Sequence, residues 1–213
     1  MILSPSLFAA DAGRLNEEIA QVEQAGAEYL HIDVMDGMFV PNLSFGYNIL
    51  SGIRKNSRLF FDVHLMVEQP ERFLIPFIRA GADGVTVHYE ATQALDEIAK
   101  TCREQKVKFG IALCPKTPVS AIEPWAAVLD ILLVMSIEPG FGGQPFMPEA
   151  VPRIAEARAL RERKNAHFLI SVDGGVNSNT APLCREAGAD ILVAGSFVFQ
   201  AEDRKAALEL LRG

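Results

Sequence analysis

The sequence is poor in several features that would each have named a class. It has only three cysteines in 213 residues, Cys102, Cys114 and Cys184, far apart and with no CxxC pair. That odd, scattered set argues for reduced thiols in a cytoplasmic protein rather than a disulfide framework. No apolar run approaches the roughly 18–20 residues that span a bilayer. Met1 to Pro5 has no basic n-region, and Asp11 comes too early for a signal peptide. Basic residues are outnumbered, 20 Lys and Arg against 27 Asp and Glu, for a net charge of −7. A nucleic-acid or anionic-membrane binder needs a basic footprint, so neither partner is expected. The same balance looks unsuited to an anionic substrate. Hydrophobic content of 49%, without blocks of like charge, argues against disorder. Also missing are the G-x-S-x-G elbow, the P-loop and a G-x-G-x-x-G near residues 6–15.

What is present is alternation. Short β-rich runs occur at 2–6, 28–33, 59–65, 84–88, 108–113, 130–135, 168–172 and 190–194, with helical patterns at 14–25, 44–54, 70–80, 91–104, 118–126, 149–163, 178–187 and 202–212. Ala25-Gly26-Ala27, Ala80-Gly81-Ala82-Asp83 and Ala187-Gly188-Ala189-Asp190 form a weak internal echo. In each, glycine suits the left-handed cap that closes a helix before a strand. The apolar runs that follow read as parallel strands covered on both faces. Strict alternation means a parallel sheet. Eight units predict a (β/α)8 TIM barrel of eight parallel strands with outer helices, filling residues 1–213 as one domain. An open doubly wound sheet is the alternative, but it usually has fewer strands and a glycine-rich first turn.

Active sites of such barrels lie at the C-terminal ends of the strands. The predicted ends carry Ser6, His31 with Asp33, His64, His88 with Glu90, and Asp173; of the four histidines only His167 lies elsewhere. His31 and Asp33 are two apart on a strand and share a face. If that face is the barrel interior, they converge with His64 and Asp173. Two imidazoles and two carboxylates suit one divalent cation, Zn, Fe, Mn or Co. His88 and Glu90 form either a structural rim pair or a pair that orients a ligand. Met35, Met66 and Met135 read as filler on spacing alone.

Glycines cluster after three adjacent strands: Gly140, Gly142 and Gly143 around Phe141, then Gly174 and Gly175, then Gly195 before Ser196. Backbone N–H groups freed by glycine can form a nest for phosphate. Such a site needs no Lys or Arg, so the acidic balance is no obstacle. For a Schiff-base aldolase, Lys116 is the only well-placed amine.

Several segments together resemble the ribulose-phosphate 3-epimerase family. They are Ser4-Pro-Ser6, His31-Ile-Asp-Val-Met-Asp-Gly37, Phe39-Val-Pro-Asn42, Asp62-Val-His-Leu-Met66, Met135-Ser-Ile-Glu-Pro-Gly-Phe-Gly-Gly-Gln144, Val172-Asp-Gly-Gly175 and Ala194-Gly-Ser196. The resemblance runs from about residue 2 to 211. It implies a (β/α)8 barrel and one divalent metal on His31, Asp33, His64 and Asp173. It places proton transfer on Asp33 and Asp173. Substrate contacts fall on Ser6, His64, Gly140 to Gly143 including Phe141, Gly174, Gly175, Gly195 and Ser196, with Met35, Met66 and Met135 lining the site. The implied reaction interconverts D-ribulose 5-phosphate and D-xylulose 5-phosphate, passing a proton at carbon 3 through a cis-enediolate. A homo-oligomer, dimer or hexamer, is also implied. The chain departs from the family pattern at Met38, where many relatives have His, and at Cys114, where many have Asn; these positions bear on the fine shape of the pocket, not on the reaction class. Other readings are a hexulose-phosphate 3-epimerase such as one for D-allulose 6-phosphate, a sugar-phosphate lyase, and a non-catalytic sugar-phosphate sensor.

Overall fold

The computed structural model describes residues 1–213. Its strands are β1 (Ile2–Pro5), β2 (Tyr29–Met35), β3 (Phe60–Met66), β4 (Gly84–His88), β5 (Lys108–Leu113), β6 (Ile131–Met135), β7 (Leu169–Asp173) and β8 (Ile191–Ala194). Between and after them lie α1 (Leu15–Gln24), α2 (Tyr47–Arg54), α3 (Leu74–Ala80), α4 (Leu95–Gln105), α5 (Ala150–Arg163), α6 (Ala181–Ala187), α7 (Ser196–Phe199) and α8 (Arg204–Arg212). The strands are all parallel, in the order β1-β8-β7-β6-β5-β4-β3-β2. A parallel bridge between Ser6 and His31 joins the two end strands, beside a 3.2 Å hydrogen bond from Glu28 N–H to the Leu3 carbonyl. This is the (β/α)8 TIM barrel that the alternation predicts.

Departures from the predicted elements have local causes. The segment 118–126 forms a 3-10 helix, Val119–Trp125, instead of an α-helix. Pro124 within it can donate no backbone bond and crowds the carbonyl four residues back. Helix 70–80 divides into a 3-10 turn, Pro70–Arg72, and α3. Pro76 is tolerated only in a first turn, so the α-helix begins at Leu74. Gly81 and Gly188 close α3 and α6 with φ of +110° and +113°, as the echo suggests. The four-residue α7 is absent from the predicted set.

The strands alternate more strictly than their apolar composition implies. Leu30, Ile32 and Val34 of β2, Phe61, Val63 and Leu65 of β3, and Val85 and Val87 of β4 face outward and join the helices in the main core. The inward set is different. Ser4, His31, Asp33, Asp62, His64, Thr86, His88 and Ser171 are all buried, while β5 and β6 turn in Ala112, Leu133 and Met135. A polar half and an apolar half therefore share the barrel interior.

Candidate active site

Strands β2 and β3 carry mirrored triplets, His31-Ile32-Asp33 and Asp62-Val63-His64. Their register sets His31 beside Asp62 and Asp33 beside His64. The period of two turns all four inward. His31 Nδ1 lies 2.9 Å from Asp62 Oδ2. Its Nε2 lies 3.3 Å from His64 Nδ1 and 3.5 Å from Asp33 Oδ1. His64 Nδ1 is 3.3 Å from the same Asp33 oxygen. From the end of β7, Asp173 brings Oδ2 to 3.9 Å from His31 Nε2. One donor atom from each of His31, Asp33, His64 and Asp173 lies within 4.8 Å of all the others.

The donor set fits a divalent cation. Bond lengths of about 2.0–2.1 Å separate tetrahedral donors by roughly 3.3 Å, close to the spacings above. His31 Nε2, His64 Nδ1 and Asp33 Oδ1 lie 3.3–3.5 Å from one another, an arrangement suited to three donors converging on one ion. Asp62 on the far side of His31 fixes its ring and tautomer, as carboxylates behind ligating histidines do. Asp62 was assigned no role from sequence; the mirrored H-x-D and D-x-H on successive strands was the available signal.

Electrostatics separate the two acids. Burial alone would raise the Asp33 pKa, but His31 and His64 outweigh it and hold the carboxylate well below its usual range. Burial pushes Asp173 up to about 7, with Asp33 adding to the rise. Burial would lower His31, yet Asp33 and Asp62 hold it well above the ordinary imidazole value. His64 falls to about 4, chiefly through burial. Ser6 Oγ donates to Asp33 Oδ2 at 2.6 Å, fixing the carboxylate orientation.

Above this floor opens a cavity of about 670 Å³, within the usual size of a small-molecule site. Ser6, Asp33, Asp173, Met35, Met66, Met135, Gly140, Phe141, Gly142, Gly143, Gly174, Gly175, Gly195 and Ser196 all line it. Neither Lys nor Arg does. Two glycines are sterically required. A Cβ on Gly174 would sit 2.5 Å from the Ile137 side chain, and one on Gly175 2.5 Å from Phe146 N. The Gly140–Gly143 loop is tied down by Asn42 Nδ2, which donates to the Gly140 carbonyl at 2.9 Å. Gln144 Nε2 also donates to the carbonyls of Glu138 and Phe141, each at 2.8 Å. Phe8, Phe146, Asn177 and Gln200 complete parts of the wall and had no sequence signal beyond proximity to glycine loops.

Several expectations change in the structure. His31 and His64 are not at strand ends, because β2 and β3 continue to Met35 and Met66. His64 is fully buried and does not line the cavity. Met38 and Cys114 do not line the cavity either. Lys116 is exposed and lies outside the cavity, which leaves a Schiff-base aldolase no amine. Of the two readings of His88, the geometry fits the one that orients a ligand: its Nε2 lies 2.9 Å from His64 Nε2.

The model of the ribulose-phosphate 3 epimerase family matches residues 2–199. The chain belongs to the ribulose-phosphate 3-epimerase family. A relative from Bacillus subtilis (strain 168), named ribulose-phosphate 3-epimerase, is 47% identical over 99% of this chain and 98% of its own. One of the same name from Synechocystis sp. is 42% identical over 100% and 93%. Among solved structures, a 3-hexulose-6-phosphate synthase superposes with a TM-score of 0.72 at 20% identity, covering 100% of this chain and 98% of its own. A tryptophan synthase A-subunit from Pyrococcus furiosus gives 0.74 at 16%, covering 100% and 97%. These two share the fold. No helix is long and apolar enough to cross a membrane.

Proposed function

We propose that the chain, acting as a single (β/α)8 domain, interconverts D-ribulose 5-phosphate and D-xylulose 5-phosphate. Family membership supports the reaction. The observation that carries the reading is the pair Asp33 and Asp173, two carboxyls that both line the floor of a cavity walled by glycine loops. Epimerisation removes the proton at carbon 3 from one face and returns one to the other. That requires a base and an acid in reach of one carbon. Asp33 on β2 and Asp173 on β7 are separated by β1 and β8 in the ring and approach the substrate from different sides. Ser6 keeps Asp33 aimed. The backbone of Gly140–Gly143, Gly174–Gly175 and Gly195, with Ser196, takes the phosphate. Anchoring that end orients the reacting carbon. Met35, Met66 and Met135 shield the acids from water. His31, Asp33, His64 and Asp173 would hold a divalent cation, which would supply positive charge to offset the negative charge that develops on the substrate. Zn, Fe, Mn and Co all suit this donor set. A cytoplasmic homo-oligomer completes the reading.

The test is an epimerase assay on D-ribulose 5-phosphate, with metal analysis of the same sample and deuterium incorporation at carbon 3 from heavy water. Turnover with one equivalent of divalent metal is expected. Full activity in a verified metal-free sample overturns the cation. Faster turnover of a hexulose phosphate moves the substrate to that class. Binding without deuterium exchange makes the chain a sensor.

A further inference from the structure

One cluster of donor atoms lies outside the cavity and is used by no step above. His88 at the end of β4 points Nδ1 toward Glu90 Oε2 at 3.3 Å and toward Cys114 Sγ at 3.5 Å. Donor atoms of all three residues lie within 4.8 Å of one another. None lines the cavity. The cluster is built rather than accidental. Cys114 N–H donates to Glu90 Oε1 at 2.9 Å, and Thr117 Oγ1 donates to the same oxygen. Both leave Oε2 facing His88. Phe39 covers the His88 ring at a centroid distance of 4.8 Å. The Glu90 side chain is 25% exposed, so solvent reaches the site.

We propose that His88, Glu90 and Cys114 form a second cation site, selective for thiophilic divalent ions of the zinc and cadmium class, whose occupation opposes loading of the His31–Asp33–His64–Asp173 centre. Imidazole, carboxylate and thiolate are a three-ligand set that leaves one position open, and the thiolate selects soft ions. Bonds of about 2.0–2.3 Å to nitrogen, oxygen and sulfur separate such donors by roughly 3.3–3.6 Å, close to the spacings His88 makes. On binding, the metal–sulfur bond replaces S–H, and the thiol proton leaves to solvent. Burial and then Glu90 push the free thiol up to about 12, so an ion must displace the proton directly.

Opposition follows from hydrogen-bond donors and acceptors, and this part rests on the cation centre proposed above. His64 offers its Nδ1 lone pair to that centre only with its proton on Nε2. That proton points at His88 Nε2, 2.9 Å away, which must accept it. Neutral His88 then carries its own proton on Nδ1, toward Glu90. An ion bound through His88 Nδ1 reverses the chain: the His88 proton moves to Nε2, His64 Nε2 accepts it, and the His64 proton faces Asp33. Each ion demands the opposite tautomer of both rings.

Cadmium titration of the metal-free chain, followed by sulfur-to-cadmium charge-transfer absorption in the ultraviolet, tests the site. Wild type is expected to develop one thiolate band per chain, and Cys114→Ser none, while Mn²⁺ still binds the variant. An equal band in both proteins places the ion on Cys102 or Cys184 and overturns the site. Opposition is read separately by electron paramagnetic resonance of Mn²⁺ released from the loaded chain. Cadmium should release Mn²⁺ at lower concentration from wild type than from Cys114→Ser; identical curves overturn the coupling and leave direct competition only. If Mn²⁺ binds neither protein, the first centre fails while the absorption band still decides the second.

Discussion

His31 Nδ1 and Asp62 Oδ2 meet at 2.9 Å in the barrel interior, both residues buried from solvent. The pair turns the opposite ring nitrogen of His31 toward His64, Asp33 and Asp173, so the geometry of the centre starts one residue behind it. Asp62→Asn keeps the shape and removes the charge. Divalent-metal affinity should fall about 10- to 100-fold, measured by Mn²⁺ titration calorimetry. Unchanged affinity would reduce Asp62 to a packing role.

Asp33→Asn and Asp173→Asn should each lower turnover on the order of 100- to 10,000-fold, the usual range for a positioned acid or base. Metal content measured on the same samples separates lost proton transfer from lost metal. A near-normal rate for metal-loaded Asp173→Asn would sink the two-acid scheme.

Glu90 offers a readout in pH. Burial would raise its pKa, but hydrogen bonds with His88 and Thr117 outweigh it, taking the carboxyl from 4.5 down to about 2. A depressed carboxyl contributes stability that is full above 4.5 and disappears as pH falls toward 2. At neutral pH, metal-free Glu90→Gln should be less stable by about 1–3 kcal/mol. Urea melts from pH 7 to 2.5 should show the gap to wild type narrowing below pH 4.5. A constant gap across that range would mean that the charge contributes nothing.

Gly175 has a φ of +63° and a Cβ position 2.5 Å from Phe146 N. Gly175→Ala must push the loop after β7 away from the loop after β6. The KM for a sugar phosphate should rise about tenfold or more, a loss of about 1.4 kcal/mol, with kcat changed less. Steady-state kinetics on both constants settle it; an effect confined to kcat would place phosphate elsewhere.

The sequence by itself determined the architecture. Eight apolar runs alternating with amphipathic ones favour a closed parallel barrel inside a ring of helices over an open doubly wound sheet, and strand periodicity puts His31 and Asp33 on one face. The glycine clusters marked the cavity wall because free backbone N–H groups need residues without a Cβ. Periodicity does not carry register or strand length. Only the structure set His31 beside Asp62 and Asp33 beside His64, since pairing depends on where two distant strands stop sliding. It extended β2 and β3 to Met35 and Met66. It also joined Cys114 to His88 and Glu90 across two loops that share no local pattern. Contacts between separate strands are fixed by packing in three dimensions, and no single segment encodes them.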